Sequence, residues 1–213
     1  MWNRRSLFTV LLFGWTLSFG LSALGQTQDE QPHQAVVLRF KGMVGEAPVS
    51  CTSTYEGIGT SGSTIALQDF KFYVHNVRLV TLAGAEVPVV LEQDGIWQRD
   101  DVALLDFEDG TGSCANGGPE TRDVVTGHVP PGEYAGLKFT LGVPFDKNHR
   151  DPVAEASPLN LSRMFWSWNG GYKFLRLDFT STGLPQGHLV HLGSTNCMPN
   201  QTRITVPTAC ARP

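Results

Sequence analysis

Phe70-Lys71-Phe72-Tyr73-Val74-His75 decides the fold. Successive residues of an extended chain project to opposite faces, so Phe70, Phe72 and Val74 fall on one side and Lys71, Tyr73 and His75 on the other. The same period of two recurs elsewhere. Val36, Leu38 and Phe40 alternate with Val37, Arg39 and Lys41, and further short runs fall at residues 87–91, 102–107, 134–141, 171–179, 188–192 and 203–206. Gly, Pro, Asn and Asp separate these runs, and past the first 25 residues no stretch sustains a helical period. The pattern predicts an all-β chain, an antiparallel β-sandwich with long loops. One short helix is expected at Ser157-Pro158-Leu159, with Ser as its cap and Pro at its first position.

At the N-terminus, Arg4 and Arg5 precede an apolar run over residues 7–24, and Ala23-Leu24-Gly25 offers the small residues that signal peptidase needs. Residues 1–25 therefore read as a secretory signal peptide, 26–34 as a polar, flexible lead-in and 35–213 as one β domain. The small-x-small site favours removal over an uncleaved anchor, and no lipoprotein cysteine is present. A soluble periplasmic or secreted product is expected, with no membrane insertion after cleavage. The chain carries 16 Lys+Arg against 20 Asp+Glu, a net charge of -4. Loss of Arg4 and Arg5 with the signal takes it to -6. That balance disfavours nucleic acid and anionic lipid, and suits a basic protein or a metal cation.

The 4 cysteines are Cys51, Cys114, Cys197 and Cys210. In an oxidising compartment an even number predicts two disulfides, for which three pairings exist. Cys51 with Cys114 and Cys197 with Cys210 are favoured, the second closing a short loop that holds Pro199 and Asn200. Without a Cys-x-x-Cys or Cys-x-x-His pair, a zinc site is the poorer reading.

Motifs for acyl-transfer, dinucleotide, P-loop or zincin chemistry are missing. Asp101, Asp106, Glu108 and Asp109 fall in turns and loops, where carboxylates are expected to be solvated. Two long loops, residues 108–123 and 144–158, are expected to be functional. All 6 histidines lie beyond residue 25. In His188-Leu189-Val190-His191 the two rings fall on opposite faces of a strand, and His191 is the better ligand candidate because it precedes the cysteine-pinned Gly193-Ser194-Thr195-Asn196-Cys197. His75 shares a face with Tyr73, Val77 and Leu79 and is expected to be buried. His149 sits in a loop with Asp151, a carboxylate able to orient it. Met164 and Met198 are soft donors or core fillers. Met164-Phe165-Trp166-Ser167-Trp168-Asn169-Gly170-Gly171-Tyr172-Lys173-Phe174 puts two indoles on one face of an extended chain, for which core packing is the plain explanation. Histidines this scattered do not identify a metal by spacing.

Taken together, the motifs carry a resemblance. Asp69-Phe70-Lys71-Phe72-Tyr73-Val74-His75-Asn76-Val77-Arg78-Leu79, Leu104-Leu105-Asp106-Phe107, Phe139-Thr140-Leu141-Gly142-Val143-Pro144-Phe145, Asn148-His149, Pro158-Leu159-Asn160, Trp166-Ser167-Trp168, Gly171-Tyr172-Lys173-Phe174, His191-Leu192-Gly193-Ser194 and the four cysteines follow in order. The chain so resembles the MbnP-like family of periplasmic copper-binding proteins, the metallo-mystery pair four-Cys-motif proteins. The resemblance implies that Trp166 is oxidised to kynurenine by a di-haem partner related to MauG and the bacterial cytochrome c peroxidases, with Trp168 the second member of the motif. It implies a copper site, suited to Cu(I), in which the modified Trp166 joins histidines. Among those within the matching motifs, His149, His191 and His75 are the expected ligands; His33, His128 and His188 fall outside. The protein would then bind copper for storage, transport or sensing, and would be the substrate of a haem enzyme, itself no enzyme. Two other readings stay open: a metal-free module using Trp166 and Trp168 to hold protein or carbohydrate, and a mononuclear copper oxidase. The family pattern continues past the last cysteine into another strand, whereas Ala211-Arg212-Pro213 closes this chain, so an uncovered sheet edge is expected.

Overall fold

The strand Ser63–Thr81, 19 residues long, is the axis of the fold in the computed structural model, which describes residues 33–167, 169–197, 207 and 209–212. Ile65, Phe70, Phe72, Tyr73, Val74, Val77 and Val80 give it the β-branched and aromatic content that suits a pleated surface. Its first half pairs antiparallel with Thr54–Ile58 and Gly171–Ser181. Its middle pairs with Val102–Asp106, and its second half with Tyr134–Leu141 and Glu86–Pro88. Leu184–Gly193 and Phe165–Ser167 add to Gly171–Ser181, and Gln98–Arg99 adds to Val102–Asp106, completing a nine-stranded sheet. A three-stranded sheet of Gln34–Arg39, Val124–Val129 and Val90–Leu91 is the second layer. The expected all-β architecture is present, as are both expected disulfides, Cys51–Cys114 and Cys197–Cys210.

The strand Val124–Val129 has no counterpart among the sequence-predicted runs. Val125 and Val129 point inward, but Gly127 takes the inward position between them and masks the period. Glycine is required there, because a Cβ would come within 2.4 Å of the Val90 carbonyl oxygen. The lead-in ends one residue early, since Gln34 already pairs with Val129. The signal peptide and the run at 203–206 lie outside the described residues; Cys210–Arg212 pairs with Thr195–Cys197.

Around Val102–Asp106 both faces of the large sheet are covered. Val102–Asp106 is buried at all five positions. Ala103 and Leu105 join Val74, Val77, Leu79, Val125 and Val129 in the core shared with the three-stranded sheet. Val102 and Leu104 turn the other way, where Tyr73, Tyr172 and Phe174 pack with Val143, Leu159 and Met164 from the segment that crosses this face. The expected helix at Ser157 does not form. Its hydroxyl donates to the Ile96 carbonyl at 2.7 Å instead of capping, and Tyr73 and Tyr172 donate their hydroxyls to the Pro158 and Leu159 carbonyls. Burial raises both phenol pKa values, so both remain donors. The helical turns fall at Phe145–Asn148 and, as 3-10 turns, at Gly112–Cys114 and Ser162–Met164.

One irregularity moves a candidate residue. Against Tyr134–Leu141, Lys138 faces Arg78 and Thr140 faces His75, so the central strand carries one extra residue there. Asn76 absorbs it with φ 52. A one-residue bulge inverts every side chain beyond it. Val77 and Leu79 therefore join the core on Val74's side, and His75, expected to share their face, is separated from them and only half-buried.

Candidate functional site

Trp166 sits at a second bulge. In the pairing of Phe165–Ser167 with Gly171–Ser181, Phe165 faces Tyr172 and Ser167 faces Gly171, so Trp166 is the extra residue. Bulges re-aim side chains, and this one leaves the indole 44% exposed. The ring lies over Gly193, where an added Cβ would come within 2.4 Å of indole Cζ3. Two residues back on that strand is His191, with its ring centroid 6.4 Å from the indole centroid.

His191 is held from behind. Its Nε2 lies 2.7 Å from Asp178 Oδ1 on the neighbouring strand. Arg176 grips the other Asp178 oxygen through both Nε and Nη2 at 2.7 Å, and its Nη1 reaches Asp69 Oδ2 at 3.0 Å. The chain of charges continues to Lys71, whose Nζ is 3.5 Å from Asp69, 3.1 Å from Asp106 and 2.7 Å from Glu108. These groups form a ladder across four adjacent strands and the loop beyond them.

Four carboxylates against two fixed cations leave the ladder acid-rich. Burial is the largest influence on Asp69 and Asp106 and raises both pKa values, Asp106 to about 6, although Lys71 pulls the other way. Burial alone would lower the Lys71 pKa; Asp106, Asp69 and Glu108 outweigh it and hold the ammonium charged. Asp106, at the end of its strand, and Glu108, in the loop that follows, both expected to be solvated, are 6% and 0% exposed. Glu108 is wrapped by its own loop: Gly110 and Gly118 donate backbone N–H groups to it, and Gly117 leaves it room. The Cys51–Cys114 disulfide pins that loop. Lys71, Trp97, Leu104, Asp106, Glu108 and Met164 line a cavity of about 470 Å3 at this end. Met164 is fully buried and acts as core filler.

His149 follows the Phe145–Asn148 turn and is buried. Its Nε2 lies 3.4 Å from Cys210 Sγ and 3.8 Å from Cys197 Sγ. Asn148 links it to the His191 strand, donating to Ser194 Oγ at 2.8 Å and accepting from the Tyr172 N–H at 2.8 Å. Gly171 adopts φ 68 beneath it, where a Cβ would meet Asn148 Oδ1 at 2.5 Å. His75 has Asp101, Lys147 and Asp146 as charged neighbours, the last two on the turn that leads into His149, and burial lowers its pKa toward the neutral imidazole. The structure therefore brings Trp166 and His191 together and sets His149 on the disulfide. Among the described residues, no set of three His, Cys, Asp or Glu donors within 4.8 Å includes His75 or His191. Trp168 and Met198 lie outside the described residues. His188 packs against Phe179, on the face opposite Asp178, and His33 against His128. Sequence reasoning missed Asp178, Arg176 and Asp69, and the only signal for them was a run of charges inside apolar strands.

The family model described as MbnP matches residues 33–212. Among solved structures, MbnP from Methylosinus trichosporium matches with 29% identity and a TM-score of 0.67, over 79% of this chain and 65% of that one. The chain thus spans about two thirds of that protein's length. No curated protein matches.

Proposed function

Because the chain belongs to the MbnP family, we propose that it is an exported, periplasmic copper-binding protein whose site matures when Trp166 is oxidised to kynurenine. The indole N–H is a donor without an in-plane lone pair, so Trp166 as encoded is no ligand. Opening the pyrrole ring and then losing its C2 carbon as formate gives a ketone and an aryl amine, and the amine nitrogen is a metal donor. The imidazoles of His191, His149 and His75 supply the remaining donors in this reading, a nitrogen set suited to Cu(I). The oxidant is a di-haem protein of the MauG and cytochrome c peroxidase type, and the copper is cargo in copper homeostasis. Two disulfides suit the oxidising periplasm.

One observation carries the reading: the exposed Trp166 ring lies over Gly193 with the Asp178-backed His191 beside it. Exposure lets an electron acceptor reach the ring, and the neighbouring imidazole gives the product a metal partner. The same exposure suits a metal-free aromatic docking surface, but a carboxylate-oriented histidine at the ring serves no purpose there. The test is production with and without the di-haem partner, followed by peptide mapping and copper titration. The expected outcome is kynurenine at residue 166 and tight copper binding only with the partner. Equal copper affinity for unmodified protein and for Trp166→Phe would sink the reading.

A further inference from the structure

Resting on that maturation of Trp166, we propose that His191 and Asp178 form an acid–base pair that completes it, hydrolysing the formamide left when the indole opens. Cleaving the indole C2–C3 bond with addition of two oxygen atoms gives N-formylkynurenine, not kynurenine. Its aryl nitrogen carries a formyl group whose carbonyl delocalises the lone pair, so it is a poor metal donor. Water must add to the formyl carbon, the C–N bond must break, formic acid must leave, and the aryl nitrogen must gain a proton. Nothing is oxidised or reduced in this step.

The geometry points to this chain as the source of the base. A carboxylate accepts hydrogen bonds, so Asp178 Oδ1, 2.7 Å from His191 Nε2, favours the tautomer with the proton on Nε2. Nδ1 is then the nitrogen with the lone pair, and it is not engaged by Asp178. The carboxylate cannot drift, because Arg176 binds its other oxygen twice and is itself anchored on Asp69. A fixed acid behind an imidazole is the arrangement that hydrolases use to orient a general base. The His191 ring lies beside Trp166, and the 44% exposure of that residue admits water. His191 takes a proton from the attacking water and returns it to the departing aryl nitrogen, ending neutral. The imidazole and the newly freed amine are then both available as donors, so the pair first finishes the ligand and afterwards belongs to the site. Asp178 acts through His191 and is a positioning residue.

The experiment needs neither partner nor copper. Brief ozone treatment of the purified full-length protein cleaves exposed indoles to N-formylkynurenine, and peptide mapping follows loss of the formyl group at residue 166 in molecules whose His191 is unmodified. Half-buried Trp97 provides the internal reference for the uncatalysed rate. We expect residue 166 to lose its formyl group about 100-fold faster than residue 97, the order of magnitude of general-base assistance. His191→Gln should erase that advantage, and Asp178→Asn should reduce it about 10-fold or more. Added imidazole should restore it in His191→Gly, which a merely structural role would not allow. Equal rates at residues 166 and 97, equal rates in wild type and His191→Gln, or failure of imidazole to restore His191→Gly would each overturn the proposal. Copper titration of the deformylated wild type separates the two ideas: fast deformylation without copper binding defeats the copper reading and leaves this one standing.

Discussion

On one face of the nine-stranded sheet, Val74, Val77, Leu79, Ala103 and Leu105 meet the three-stranded sheet with side chains that need no partners. On the other, beside the apolar cluster of Tyr73, Leu104 and Tyr172, lie Asp69, Lys71, Asp106, Glu108 and Asp178, nearly as buried but charged, and each is tied to the next. The first face gains free energy simply by leaving water. The second must recover a desolvation cost through its pairs, and such networks are weak sources of net stability. What the ionic face gains is position. A ladder in which each acid is gripped by a cation holds Asp178, and through it His191, at one place beside Trp166. Apolar packing keeps the sheet folded, and the ionic ladder keeps the site aimed.

The largest expected effect tests that contrast from the ionic side. Lys71→Met removes the cation shared by Asp69, Asp106 and Glu108 and leaves buried carboxylates unpaired, so urea unfolding at neutral pH should show a loss of about 3–5 kcal/mol. Leu105→Ala on the apolar face should cost about 2–5 kcal/mol by cavity formation. The two should differ in kind: Leu105→Ala leaves the Trp166 corner and the pH profile unchanged, whereas Lys71→Met alters both. A Lys71→Met protein as stable as wild type would mean the ladder is not under electrostatic tension.

Acidity distinguishes the faces next. Burial raises Asp106 from 3.8 to about 6 in the folded protein. Between about pH 4 and about pH 6 the folded state therefore binds more protons than the unfolded one, and this group's contribution falls as pH rises. The loss is complete above about pH 6 and amounts to about 2–3 kcal/mol. Lys71, raised above 10.5, contributes outside that window. Asp106→Asn should flatten this part of the urea-midpoint profile, and Leu105→Ala should leave it. A profile unaffected by Asp106→Asn would show that the carboxyl ionises as it does in water.

The faces also differ in how far the sequence disclosed them. Alternation at Phe70 to His75 exposed a strand, and an even cysteine count with one short loop exposed both disulfides. Local pattern could not show that Lys71 meets acids 35 and 37 residues away, because a lysine facing outward and one facing buried carboxylates look alike in sequence. Nor could it show the extra residue at Asn76, which reverses the side of Val77 and Leu79 and parts His75 from them. Trp166 and His191 were legible as candidates through their motifs. Their juxtaposition depends on Gly193 and on a bulge opposite Tyr172, features of pairing between strands that no single segment encodes.

Gly193→Ala is the smallest perturbation and the most local. Its methyl group would meet indole Cζ3 at 2.4 Å and the Tyr172 carbonyl oxygen at 2.9 Å. The exposed indole can swing away while the backbone gives slightly, so the stability cost should be about 1 kcal/mol, at the low end of overpacking. The ladder is not touched: Asp178 and Arg176 keep their partners, and the pH profile should match wild type. What should change is the indole's environment, read as a shift in the Trp166 fluorescence contribution, with Trp166→Phe identifying its share. If the position beside His191 is what makes this indole reactive, Gly193→Ala should also lower the yield of kynurenine at residue 166 several-fold in protein that remains folded. An unaltered yield would show that exposure alone selects Trp166 and that the ionic face aims His191 for some other purpose.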